Sequence, residues 1–153
     1  MNTTPLQDRL PKDSGGRICF GCGADNHRGL RIKSHMEGDE CVCRFTPEEH
    51  HAAFPNILNG GIIATIMDCH AIWTSVGARH RTLGYDDTGE SRTMFVTKKM
   101  TVEFLKPTPM GTELEVRARV VETRGKSSRV IVELRAKDGI TARAEVTAVR
   151  VED

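Results

Sequence analysis

Asp68 is the residue whose setting most calls for a chemical explanation. It stands among Ile66, Met67, Cys69 and Ile72 in the stretch Gly60 to Gly77, which is apolar on nearly every side of a helix. An ionised carboxylate there is costly unless it has a partner or a task. One reading makes it a general base or nucleophile tuned for work near neutral pH. The other sets it on the one solvated edge of the helix, sharing a face with Thr65 and Ser75. Directly before this stretch, Asn59-Gly60-Gly61 joins a favoured N-cap to two glycines that let the backbone approach a ligand closely. Unpaired N–H groups and the helix dipole favour negative charge there, so a developing oxyanion would be stabilised.

The five cysteines suggest a second chemistry. Cys19-x-x-Cys22 and Cys41-x-Cys43 have the spacing of two zinc half-sites. Against this, Cys41 and Cys43 lie in an alternating segment that turns both to one face of a strand, where Cys is a common buried residue. An odd number of cysteines with no export signal reads as reduced thiols, and no metal is expected.

The elements that must position these groups follow from periodicity. Leu30 to Met36 and Glu40 to Phe45 read as strands joined at Glu37-Gly38-Asp39. After a loop with Pro47, His50, His51 and Pro55 comes the helix from Gly60 to Gly77, then a polar surface loop from Arg79 to Arg92 carrying Gly84, Asp86, Asp87 and Gly89. Four alternating runs follow, Phe95 to Lys106, Thr112 to Glu122, Ser128 to Ala136 and Ile140 to Val151. Their connecting turns at Pro107 to Gly111, Arg124-Gly125-Lys126 and Asp138-Gly139 predict an antiparallel meander. The fold class is α+β, a curled antiparallel sheet wrapped around one helix. Its open edges and the many-sided apolar helix call for a second copy of the chain.

The 153 residues suit one domain, with residues 1–17 as a flexible polar lead-in and 18–153 as the folded body. Twenty-two Lys and Arg against 21 Asp and Glu leave a charge of +1, without a basic stripe for nucleic acid. The longest apolar run is too short for a bilayer, and the first residues resemble neither a secretory nor a transit signal. The expectation is a cytoplasmic protein.

Three segments in order resemble one family. Asn59-Gly60-Gly61 through Asp68 is similar to the His-Gly-Gly…Asp signature of the central helix in the phenylacetyl-CoA thioesterase-like branch of the hotdog superfamily. Phe95-Val96-Thr97 through Phe104 and Pro107 resembles its next strand, and Cys19-Phe20-Gly21-Cys22-Gly23 with Asn26 and Gly29-Leu30 resembles an N-terminal signature of some members. The resemblance covers nearly everything from Cys19 onward. It implies hydrolysis of an acyl-CoA or acyl-carrier thioester, with Asp68 as base or nucleophile and the Gly60 N–H, beside Gly61, polarising the carbonyl. Thr97 orients the water or the carboxylate, and Thr65 and Gly61 face the substrate. It also implies a site shared across a dimer or dimer of dimers, with coenzyme A entering as part of the substrate and no separate cofactor. Arg124, Lys126 and Arg129 at the Gly125 turn are the candidates for its phosphates.

Two positions depart from the family pattern. Asn59 replaces the family His, and Ala52, Ala53 and Phe54 occupy the neighbourhood of an upstream Asn. Asn59, or His50 and His51, would then donate to the carbonyl. The same departures suit a non-hydrolysing acyl-CoA binder, and a hotdog dehydratase would need His50 or His51 paired with Asp68. His70, about 100° around the helix from Asp68, reads as a core or interface histidine.

Overall fold

The computed structural model describes residues 4–86 and 88–153; the first three residues of the lead-in and Asp87 of the polar segment lie outside it. Strands β1 (Ser34–Glu37) and β2 (Glu40–Phe45) form the first hairpin, turning at Gly38 with φ 63°. A small second hairpin, β3 (Ala52–Phe54) and β4 (Ile57–Leu58), leads into helix α1 (Gly60–Leu83). Then come β5 (Met94–Phe104), β6 (Leu114–Arg124), β7 (Ser127–Ala136) and β8 (Gly139–Glu152). The main sheet has the order β1-β2-β6-β7-β8-β5, antiparallel throughout, and α1 packs against all six of its strands as the sheet curls around it.

The inward residues alternate as the sequence predicts. Leu114, Val116 and Ala118 of β6, Val130, Val132 and Leu134 of β7, and Ala142, Ala144, Val146 and Ala148 of β8 are buried against the helix. Each fully buried Leu or Val there contributes about 1.5 to 3 kcal/mol of transfer free energy. From the helix, Ile63, Ile66, Met67, Trp73 and Val76 meet them, and Cys41 and Cys43 complete the layer from β2.

Four expectations are corrected. The last four strands are not one meander: β6, β7 and β8 are consecutive hairpins, but β5 lies beyond β8 at the far edge, while β2 pairs with β6. Alternation fixes which face a side chain takes and leaves the neighbouring strand unspecified. Having crossed the sheet on α1, the chain delivers β5 to the opposite edge, and its largely exposed side chains suit that position. The helix continues past Gly77 into the segment read as loop, and ends at Gly84 in the left-handed conformation (φ 71°), whose N–H bonds the carbonyls of Arg81 and His80. Gly77 is a contact point within the helix, since a Cβ there would lie 2.5 Å from Met36 Sδ and 3.2 Å from Leu6 Cδ1. Finally, the lead-in is docked. Leu6 and Leu10 are buried, Gln7 Nε2 donates to Ser34 Oγ, and Arg9 reaches the His80 ring, so the folded body begins well before residue 18. The first predicted strand is also shorter, starting at Ser34 rather than Leu30.

Candidate active site

Helix α1 presents a half-exposed stripe on an otherwise buried cylinder. Gly61, Thr65, Asp68 and Ile72 follow one another at three- and four-residue spacing along it. In the single chain Asp68 therefore lies on the helix's open edge, with Ile72 half-exposed one turn along it, and is not enclosed by apolar neighbours. Its partner comes from β5: Thr97 Oγ1 donates to Asp68 Oδ1 at 2.5 Å, joining residues 29 apart in sequence. The β5–β8 register shifts between Thr97 and Lys99. Such a bulge bends a strand and re-aims its side chains, and here it adjoins the threonine that meets the helix.

At the start of α1, Asn59 is an N-cap whose Oδ1 accepts from the N–H groups of Gly61 (2.7 Å) and Ile62 (3.2 Å). A Cβ on Gly61 would stand 2.9 Å from that oxygen, so the glycine keeps room for the cap. The Gly60 N–H is the first-turn donor that the Asn59 side chain does not engage, and the capping leaves Asn59 Nδ2 as a second donor. Thr65 spends its hydroxyl on the Gly61 carbonyl at 2.9 Å.

The histidines are engaged elsewhere. His51 Nδ1 accepts from the Glu48 N–H at 3.0 Å, and its ring, with pKa lowered by burial, packs against Phe45 and His50. His50 is exposed near Glu48. Neither makes the dyad with Asp68 that a dehydratase needs. His70 is fully buried between Ser34 Oγ (2.8 Å) and the Cys41 carbonyl (2.9 Å), a core residue.

The three basic candidates separate. Arg124 and Arg129 both pair with Glu122, at 3.0 and 3.7 Å, and Arg129 also reaches Glu145 at 3.3 Å. Lys126 instead lines a cleft with Ser75, Arg79, Phe95 and Arg150. Sequence reasoning missed Arg79 and Arg150, which only the fold brings beside the Gly125 turn. It also grouped the cysteines wrongly. Cys41 and Cys43 are buried in β2, where desolvation pushes both thiols up to about 12, whereas Cys19 and Cys22 meet Cys69 of α1. In that trio, hydrogen bonds from Cys22 and then Cys69 lower the Cys19 pKa, while the bonds to Cys19 raise those of its two partners. Cys69 had no motif around it to signal this.

Comparison with known proteins agrees with this architecture. The family model of the thioesterase superfamily matches residues 55–143. Among solved structures, a thioesterase superfamily protein from Shewanella loihica is 30% identical, with 84% of this chain and 96% of that one covered and a TM-score of 0.67. Two more distant structures share the hotdog fold. One is a thioesterase from Haemophilus influenzae (14% identity, 90% and 87% covered, TM-score 0.66). The other is a Streptococcus mutans protein bound to acetyl CoA (18% identity, 80% and 90% covered, TM-score 0.63). No curated protein matches significantly. With the family model spanning more than half of it and the Shewanella loihica relative aligned over most of it, the chain belongs to the thioesterase superfamily.

Proposed function

We propose that the chain is an acyl-CoA thioesterase of the phenylacetyl-CoA thioesterase-like branch, in which Asp68 activates the water that cleaves the thioester. The observation that carries this reading is the Thr97 to Asp68 hydrogen bond. It holds one carboxylate oxygen of a half-exposed helix residue and leaves Oδ2 free to accept a proton. Water loses that proton to Asp68 as its oxygen attacks the carbonyl carbon. The C=O electron pair moves onto oxygen, where the Gly60 N–H and the positive end of α1 receive it. Collapse of the tetrahedral adduct breaks the C–S bond. The proton passes to the leaving sulfur, giving a carboxylic acid and free coenzyme A.

Gly60 and Asp68 are eight residues apart on one helix, about 12 Å at 1.5 Å per residue. No single carbonyl touches both within a chain, so the working site takes Gly60 from one copy and Asp68 from another. The unpaired edge of β5, with Val96 and Phe104 exposed, supports such an assembly. The cleft at Lys126, Arg79 and Arg150 contains Ser75, two helical turns or about 10 Å from Asp68. A pantetheine arm crosses that distance, so a CoA phosphate there would meet Lys126 and would take Arg79 and Arg150 from Asp153, which pairs with them at 2.7 and 3.6 Å. The acetyl CoA held by the Streptococcus mutans neighbour points to the same ligand class.

The test is thiol release from a panel of acyl-CoA thioesters followed with a thiol reagent. Turnover of at least one member supports the proposal. Saturable binding without release would instead identify a non-hydrolysing acyl-CoA binder.

A further inference from the structure

Three of the five thiols converge where the proposed hydrolysis has no use for them. The Sγ atoms of Cys19, Cys22 and Cys69 all lie within 4.8 Å of one another, with Cys19 and Cys69 at 3.7 Å. Sulfurs at the corners of a tetrahedral zinc site, with Zn–S near 2.3 Å, stand about 3.8 Å apart. We propose that Cys19, Cys22 and Cys69 form a binding site for a soft divalent cation of the zinc type, which fastens the Cys19 to Gly23 loop onto α1.

The loop is shaped for this. The Gly23 N–H bonds the Cys19 carbonyl at 2.8 Å, closing a tight knuckle. Two glycines make the knuckle fit. A Cβ on Gly21 would collide with Cys69 Sγ and would stand 2.9 Å from Thr65 Cγ2, while one on Gly23 would run into the backbone of Cys19. The loop thus lies directly on the helix, with the third thiol beneath it. One turn further along, Trp73 supplies another mark of a ligand: its buried indole N–H has no hydrogen-bond partner among the described residues, yet it lies close enough to Cys22 to favour that thiolate. Once a cation displaces the Cys22 proton, the indole gains a charged acceptor.

Ordinary packing of small buried residues does not account for the convergence. Cys41 and Cys43 show what packing looks like in this protein, each sulfur set into the sheet core and neither belonging to the cluster. Sulfur ligands select zinc or copper(I) over magnesium and calcium. On ligation three S–H protons pass to solvent as three metal–sulfur bonds form. Three thiols leave one position of a tetrahedral ion unfilled, and half-exposed Cys19 gives the cluster access to a solvent ligand. The ion acts as a staple, and no step of thioester cleavage passes through it, so this inference and the proposed hydrolysis stand or fall separately.

The full chain, reduced and stripped of metal with chelator, is titrated with cobalt(II) and then with zinc(II). The expected result is the sulfur-to-cobalt charge-transfer and d–d absorption of a tetrahedral thiolate site, saturating at one cobalt per chain and bleached by one equivalent of zinc. Zinc should also raise the thermal midpoint. Cys69→Ala and Cys19→Ser should each lose the absorption and the zinc-dependent rise, and the half-exposed Cys19 serves if the helix variant does not fold. A Cys41→Ala, Cys43→Ala control should keep both. No thiolate absorption with the parent chain would overturn the proposal, as would absorption that survives in the folded Cys19→Ser protein or vanishes in the control.

Discussion

Gly60 occupies the first position of α1, where proline is well tolerated, and Asn59 before it (φ −63°, ψ 132°) already has the conformation that a residue preceding proline prefers. An added Cβ meets only the Phe104 ring, at 3.4 and 3.6 Å. Gly60→Pro therefore deletes the N–H assigned to the oxyanion and disturbs little else. We expect kcat to fall about 100- to 1000-fold with an unchanged circular dichroism spectrum and melting point; parent-like turnover would place the oxyanion donor elsewhere. Thr97→Val removes the donor to Asp68, and a loss of one hydrogen bond of about 1 to 1.5 kcal/mol slows turnover about tenfold, with Thr97→Ser restoring it in steady-state kinetics. These residues were legible in the sequence because their signals are local: a capped Gly-Gly turn, a carboxylate in an apolar run, and a threonine at the head of the next strand. The basic residues were not. Whether Arg129 faces a ligand or a glutamate depends on cross-strand register, and the register sets it beside Glu122.

At the scale of elements, α1 is pinned to the first hairpin by His70. The Cys41 carbonyl can only accept, so Nε2 carries the proton and Nδ1 accepts from Ser34 Oγ, which in turn receives Gln7 Nε2. The ring is neutral, and burial pushes its pKa down to about 4. Between that value and the ordinary 6.5 of an exposed histidine, the unfolded chain binds a proton that the native chain refuses. Stability from this group is therefore complete above pH 6.5 and falls with pH below it, by up to about 3 kcal/mol at pH 4. Denaturant midpoints measured across pH 4 to 7 should show this decline, and His70→Gln should flatten it. If parent and variant decline in parallel, His70 is not the source. The helix itself was legible from its apolar run, but its end was not. Gly77 reads as a stop in one dimension and becomes a packing contact only when Met36 and Leu6 arrive from the sheet and the lead-in. The place of β5 was hidden for a related reason, because alternation is the same for an edge strand and a central one.

The proposed site needs two copies of the chain, since about 12 Å of helix separates the donor from the carboxylate within one chain. Sedimentation should find at least a dimer at micromolar concentration, and a folded monomer with full activity would remove the shared site. The stronger form of this prediction uses two inactive partners. Gly60→Pro and Asp68→Asn homodimers, unfolded and refolded together in equal amounts, should regain about a quarter of parental activity, because half of the random dimers are mixed and each of those has one intact site of two. Recovery absent from a mixture verified to contain mixed dimers would assign both groups to one chain.

The proposed hydrolysis depends above all on Asp68, and the most direct measurement compares acyl-CoA hydrolysis by the parent with that by Asp68→Asn, alongside binding of the same thioester. The amide keeps the shape and accepts the Thr97 hydrogen bond but has no basic lone pair. We predict a fall in kcat of about 10² to 10⁴, with substrate affinity nearly unchanged and a melting point equal to or above the parent's. Hydrolysis at the parental rate by the folded variant would rule out Asp68 as the base.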